Sequence, residues 1–361
     1  MTGGCVGDLT ERDLVARIQQ RLPAAPPWLL VGIGDDAAVV EPERNRVEVL
    51  TVDALVEGIH FDRAFVPPDA IGHRALAVNL SDLAAMGAAP RLALLSFALP
   101  PQLPLDDFDG LIAGLARLAA QHRLHVIGGN LTKSPGPMMI DVTVAGTVKR
   151  RQAMTRAGAR PGDDIYVSGT LGAAAAGLRM LKADQKASTT EVTETDRGHG
   201  SFENELPCPP SGTVSSVLEL CTSRFLYPEP RVRLGLLLSR NRAASAAIDL
   251  SDGLADGVYR IGETSGVGAV IDADLLPIDP GVRAWFTERG LNPVHEALTA
   301  GDDYELLLTV RPRAGRRLDA ARRGGGVALT RIGACTASRT VLLREDGDER
   351  ELPRAGYDHF R

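Results

Sequence analysis

Apolar positions in the first 150 residues alternate between helical and strand-like spacing. Leu14, Ile18 and Leu22 recur on one helical face after Thr10 and Asp13, a pair that forms a helix-start signal. Three apolar, β-branched runs follow: PWLLVGIG (27–34), AAVVEP (37–42) and VEVLTVDALV (47–56). They read as strands, with a hairpin turning on the Pro and Asn of residues 42–45. Residues 69–89 are Ala-rich and predict a helix that ends at Pro90. A strand (91–100), a helix (105–123) and two strands (125–129 and 138–148) then complete a mixed α/β domain spanning 1–150.

A second α/β domain is expected over 151–361, opening at GARPGDDIYVSGTLG, where turn clusters flank the strand DIYVSG. Between 183 and 216 the composition shifts to Ser, Thr, Glu, Gly and Pro, which predicts a flexible surface insertion. Further on, AAIDLSDGLADGVYRIGETSG (246–266) reads as strand, turn and helix, and GDDYELLLTV (301–310) as a loop feeding a strand.

Composition narrows the function. The chain has 361 residues and 44% hydrophobic content, enough for about two domains. A formal charge of -6 offers no basic field for nucleic acid and no polybasic membrane patch. No signal-like N-terminus and no apolar run of membrane-spanning length occurs, so a cytoplasmic protein is expected. Cys5, Cys208, Cys221 and Cys335 form no CxxC pair, which suggests reduced thiols rather than a zinc cluster or a disulfide framework.

The chemistry concentrates in aspartates. In VGIGDDAAVV (31–40), Gly32, Gly34 and Ala37 fit a dinucleotide fingerprint, with Asp53 near the ribose-acid spacing. That reading needs a helix directly after the glycines, whereas strand and turn follow here, and Asp35 and Asp36 would repel a bare pyrophosphate. A P-loop is excluded, because the chain contains no Gly-Lys dipeptide. What recurs is Asp at glycine-rich turns and strand ends: Asp35–Asp36, Asp53, Asp82, Asp249–Asp252 and 302–303. Singly each could be a cap or a turn; together they suit Mg²⁺ bridging carboxylates to substrate phosphates. Asn79 and Asp82 lie inside an apolar helical segment, where a buried acid is costly without a partner such as a metal.

The stretches GIGDDAAVV, TVDALVEGIHF, HRALAVNLSDLAAMGAAPR, GGNLTKSPG, LTAGDDYEL and GYDHF closely resemble the thiamine-monophosphate kinase family, within the ATP-binding superfamily that includes aminoimidazole ribonucleotide synthetase. The likeness covers nearly the whole chain outside 183–216. It implies the two-domain fold of that superfamily, with an N-terminal mixed sheet that dimerises, and Mg²⁺-dependent transfer of the ATP γ-phosphate onto thiamine phosphate in a homodimer. By motif, Asp36, Thr51, Asp53, Asp82, Asp249 and Asp252 would hold several Mg²⁺ ions, with Val52 contributing its carbonyl and Asn130 its side chain. Gly129, Asn130, Arg156 and Ser251 would meet ATP; His60, Asp302 and Tyr357 would face thiamine phosphate. Asp35 is expected to orient the loop.

Two positions depart from the family pattern. Where the family usually has GGDT, this chain has Gly128-Gly129-Asn130-Leu131, so a neutral amide replaces a carboxylate and one ion is held more weakly or through water. Asp302 stands where Glu is common, and its shorter side chain reaches less far. Sibling activities, a cycloligase or a selenophosphate synthetase, would keep the acids and change the acceptor; the latter would want a reactive Cys beside a Lys, and Cys5 has no Lys neighbour. A non-catalytic hydrogenase-maturation scaffold would carry a C-terminal Cys, where this chain has GYDHFR.

Overall fold

The computed structural model describes residues 4–194 and 213–357. The N-terminal elements are α1 (Glu11–Gln19), β1 (Leu29–Val31), β2 (Val39–Val40), β3 (Arg46–Val56), α2 (Pro68–Met86), β4 (Ala89–Leu99), α3 (Leu105–Gln121), β5 (His125–Lys133) and β6 (Met139–Lys149). There follow β7 (Asp164–Ser168), α4 (Ala173–Glu194), α5 (Thr213–Leu226), α6 (Val232–Asn241), β8 (Ala246–Asp249), α7 (Leu254–Ser265), β9 (Gly268–Asp272), α8 (Pro280–Glu288) and α9 (Pro293–Thr299). The chain then forms β10 (Leu306–Val310), α10 (Gly315–Gly325), β11 (Leu329–Thr336), β12 (Val341–Glu345) and β13 (Asp348–Glu351). Strands β3-β6-β4-β5 form one sheet, with β4 and β5 parallel; β13-β12-β9-β11-β7-β10-β8 form a second, and β1 pairs with β2.

Local chemistry explains the element ends, twice differently from the sequence expectation. The capping box opens α1 as expected: Asp13 N–H donates to Thr10 Oγ1 (3.3 Å) and Thr10 N–H to Asp13 Oδ2 (3.0 Å). Helix α2, however, stops at Met86 because Gly87 turns left-handed (φ 65°) and returns its N–H to Ala84; Pro90 lies in β4. The hairpin expected at 42–45 is also displaced. Strand β2 pairs back onto β1, so the reversal is made by the GIGDD loop itself, while β3 pairs with β6. No helix follows the glycines, as the rejection of the dinucleotide reading required. At the expected insertion, α4 runs on to Glu194 and α5 opens at Thr213, so residues 183–194 and 213–216 are helical. Residues 195–212 lie outside the described residues.

The helix α2 is apolar on nearly every side, and such a helix has to be buried all round. It lies between the first sheet with α3 on one side and β8 with α6 on the other. Leu76 and Leu80 of α2 share one core with Leu95 and Val142 of the first sheet, Leu238 of α6, and Leu306 and Leu308 of β10. The crossing with α3 is close enough that a Cβ on Gly72 would sit 1.8 Å from the Leu111 carbonyl oxygen. This packing sets the polar end of α2 against the middle of β3 and the end of β8.

Candidate active site

Alternation along β3 sends Thr51 and Asp53 toward α2 and leaves Val52 on the opposite face, 57% exposed. Thr51 Oγ1 donates to Asp82 of α2, and the adjacent Ser81 donates to Asp249 Oδ2 at the end of β8 (2.7 Å). Asp252 follows in the turn before α7, where Gly253 takes φ 105° and an added Cβ would meet the Ala300 carbonyl at 3.0 Å. Three elements far apart in sequence thereby deliver their carboxylates to one junction.

The acids there are under electrostatic pressure. Burial, and then the charges of Asp82, Asp141 and Asp252, push the Asp53 carboxyl up to about 6. Burial first, then Asp82 and, less, Asp53, push Asp249 up to about 7, against the Ser81 hydroxyl and its own backbone, which favour ionisation. Burial also raises Asp82, although the Thr51 hydroxyl and the positive charge of Arg156 oppose it. Arg156 is anchored through its carbonyl, which accepts from Ser265 Oγ at 3.1 Å.

On the other face of the first sheet, the GIGDD loop covers a cavity of about 730 Å³. Asp35, Asp36, Ser96, Gly129, Asn130 and Asp141 are among its lining residues. Asp36 N–H donates to Asp35 Oδ1 (2.8 Å), so Asp35 shapes the loop as expected. Gly129 has a packing reason to be glycine: a Cβ would lie 1.9 Å from the Leu95 carbonyl oxygen. The sequence-expected acids therefore fall into an inner set, Asp53, Asp82, Asp249 and Asp252, and an outer position, Asp36, on the other side of the sheet.

The three expected acceptor-side residues lie apart from one another along the chain. His60 Nδ1 accepts from Val56 N–H (3.0 Å), which fixes the tautomer and makes Nε2 the donor. Asp302 has a left-handed backbone (φ 67°) and accepts from Arg74 Nη2 (2.9 Å) and from the Tyr304 hydroxyl (3.0 Å). Arg74 is only 2% exposed and also stacks on Phe225. Ser251 holds the same loop, its carbonyl accepting from Asp302 N–H (2.8 Å). Tyr357 is exposed and donates its N–H to the Asp252 carbonyl (3.3 Å), which carries the C-terminal tail onto the start of α7.

Sequence reasoning missed Ser81, Arg74, Asp141 and Glu305. Ser81 and Arg74 carried a signal, since both are polar residues within the apolar α2 stretch; Asp141 is one alternating position in a strand and carried none. Glu305 is fully buried and accepts from Ser168 Oγ (2.5 Å), Arg231 Nε (2.7 Å) and Arg224, while Asp303 accepts from Gly172 N–H (3.0 Å). These two acids fix the loop that presents Asp302.

The donor set fits a hard divalent cation. It is all oxygen, and burial first, then repulsion between the carboxylates, pushes Asp53 up to about 6 and Asp249 up to about 7, a cost that a cation would offset. Among the described residues no three His, Cys, Asp or Glu side chains form a ready-made metal cage. Mg²⁺ is commonly held by one or two carboxylates and completed by phosphate oxygens and water. The arrangement can collect metal-bound phosphates.

Comparison with known proteins gives a consistent result. Residues 34–148 match the family model described as AIR synthase related protein, N-terminal domain. The chain is 35% identical to thiamine-monophosphate kinase of Escherichia coli (strain K12), over 97% of this chain and 98% of that one. Among solved structures, thiamine-monophosphate kinase from Stenotrophomonas maltophilia K279a superimposes with a TM-score of 0.76 at 37% identity, covering 94% of this chain and 98% of the other. AaThiL complexed with AMPPCP and TMP superimposes with a TM-score of 0.69 at 29% identity over 100% of both chains.

Proposed function

This chain belongs to the thiamine-monophosphate kinase family, and from that premise we propose that it transfers the γ-phosphoryl group of ATP directly onto thiamine phosphate, giving thiamine diphosphate and ADP. The observation that carries the mechanism is the convergence of Asp53, Asp82 and Asp249 from β3, α2 and β8. Phosphoryl transfer asks mainly for in-line positioning and charge neutralisation. Acids that gather cations can supply both without a P-loop lysine.

The metal ligands we propose are Asp36, Thr51, Asp53, Asp82, Asp249 and Asp252, with the Val52 carbonyl and the Asn130 amide. Mg²⁺ held there would neutralise the phosphate oxygens and orient the triphosphate. Gly129, Asn130, Arg156 and Ser251 would bind the nucleotide; Arg156 already offsets the charge of Asp82. His60 would present Nε2–H to the acceptor phosphate, and Asp302 and Tyr357 would bound the thiamine. The acceptor is a phosphate monoester with a second pKa of about 6, so its oxygen is ionised near neutral pH and needs no strong base. The outer sheet face, with Leu50 69% and Val52 57% exposed, supports a homodimer formed across it. No helix among the described residues is long and apolar enough to cross a membrane. The thiols of Cys221 and Cys335 are pushed by burial up to about 11 and 12, which keeps them protonated and poorly reactive; a cytoplasmic location is proposed together with the kinase reading.

The test is an acceptor panel with Mg-ATP. ADP formation should depend on thiamine phosphate and yield thiamine diphosphate. Turnover on formylglycinamidine ribonucleotide or selenide, with none on thiamine phosphate, would overturn the assignment in favour of a sibling activity.

A further inference from the structure

The outer face of the first sheet holds a carboxylate that neither the family motifs nor the inner cluster accounts for. The strand register places Ala54 of β3 opposite Asp141 of β6, Asp141 opposite Ser96 of β4, and Ser96 opposite Asn130 of β5. Residues paired across neighbouring strands point to the same side of a sheet. Asp141, Ser96 and Asn130 therefore form one polar row, and all three line the 730 Å³ cavity beneath the loop that carries Asp36. With strands about 4.8 Å apart, Asp141 and Asn130 stand roughly 10 Å apart at the backbone, flanking the small Ser96. Two side chains at that separation can share one hydrated ion or one metal-bound phosphate between them.

Asp141 has no hydrogen-bond or ion-pair partner among the described residues, and it is half-buried in the wall of the cavity. Its charge is felt across the strand by Asp53, the residue next to Ala54. Asn130, at the other end of the row, supplies an acceptor oxygen but no charge. Resting on the kinase reading above, we infer that Asp141 is a further carboxylate of the metal–nucleotide site, providing on β6 the negative charge that Asn130 does not provide on β5. Asp141 acts as a positioning residue for the metal-bound phosphates; it is no acid or base in the transfer.

The test measures binding rather than turnover. Full-length protein is titrated with Mn²⁺ in the presence of a non-hydrolysable ATP analogue, and free Mn²⁺ is read by electron paramagnetic resonance. Asp141→Asn should weaken Mn²⁺ binding by about tenfold while its melting temperature stays close to that of the wild type. Adding Asn130→Asp to that variant should restore most of the affinity, because it returns a carboxylate to the same row. Wild-type Mn²⁺ affinity in folded Asp141→Asn, or a double variant no tighter than the single one, would overturn the inference. Failure of the wild type to phosphorylate thiamine phosphate would instead strike the kinase reading, and the binding cycle separates the two.

Discussion

Asp53 shows why a residue useful to this site is harmful to the ligand-free fold. Its carboxyl is pushed up to about 6 by burial and by neighbouring acids, against an ordinary value of 3.8. A raised folded-state value means that its contribution to stability is complete below about 3.8 and is lost as pH rises through about 6. Asparagine does not titrate and carries no such pH dependence. Asp53→Asn is therefore expected to gain about 1 kcal/mol on the wild type between about pH 5 and 8, in urea midpoints measured without metal. The same variant should lose at least a hundredfold in turnover, roughly the scale of removing a charge-stabilising group. Wild-type activity would remove Asp53 from the metal set; a pH-independent stability difference would contradict the crowding of charge. Asp53 was legible in the sequence because it sits within a motif, whereas its dependence on Asp141 was not, because strand pairing is invisible in one dimension.

At the scale of elements, α2 is the part on which the site depends. It was readable as a helix from its alanines and its apolar run, but its end was misplaced, since Gly87 terminates it before Pro90 can act. The β1–β2 reversal was misread for a related reason. Turn residues at 42–45 are a local signal, while the pairing of β3 is decided by the long antiparallel register with β6. The tight crossing of α2 and α3 gives a direct test. Gly72→Val would force side-chain atoms into the Leu111 carbonyl, 1.8 Å from the new Cβ. A loss of about 3 kcal/mol or more in denaturant unfolding is expected, with wild-type stability as the contrary result.

In the whole molecule, two sheets meet around one helix, and the site lies where the middle of β3 and the end of β8 face its polar end. Composition and motif order showed an α/β protein of this kind, because apolar periodicity is a property of the chain. The charged clamp that fixes the loop at 301–305 was not visible, because its members come from positions 168, 224, 231 and 305. Burial alone would raise Glu305, yet Arg231 and Arg224 with Ser168 hold it below its ordinary 4.5. Its contribution to stability is thus present above about 4.5 and lost as pH falls below it. Glu305→Gln leaves Arg224 without its carboxylate and Arg231 with only the exposed Glu229, and is expected to cost about 3 kcal/mol near neutral pH, read from urea unfolding. An unchanged midpoint would show that the clamp is dispensable. Direct metal-assisted transfer to thiamine phosphate can be followed with ATP labelled in its γ-phosphate, the purified protein, Mg²⁺ and thiamine phosphate. The label should appear in the terminal phosphate of thiamine diphosphate with none on the protein; label on the protein, or only in inorganic phosphate, would contradict the account.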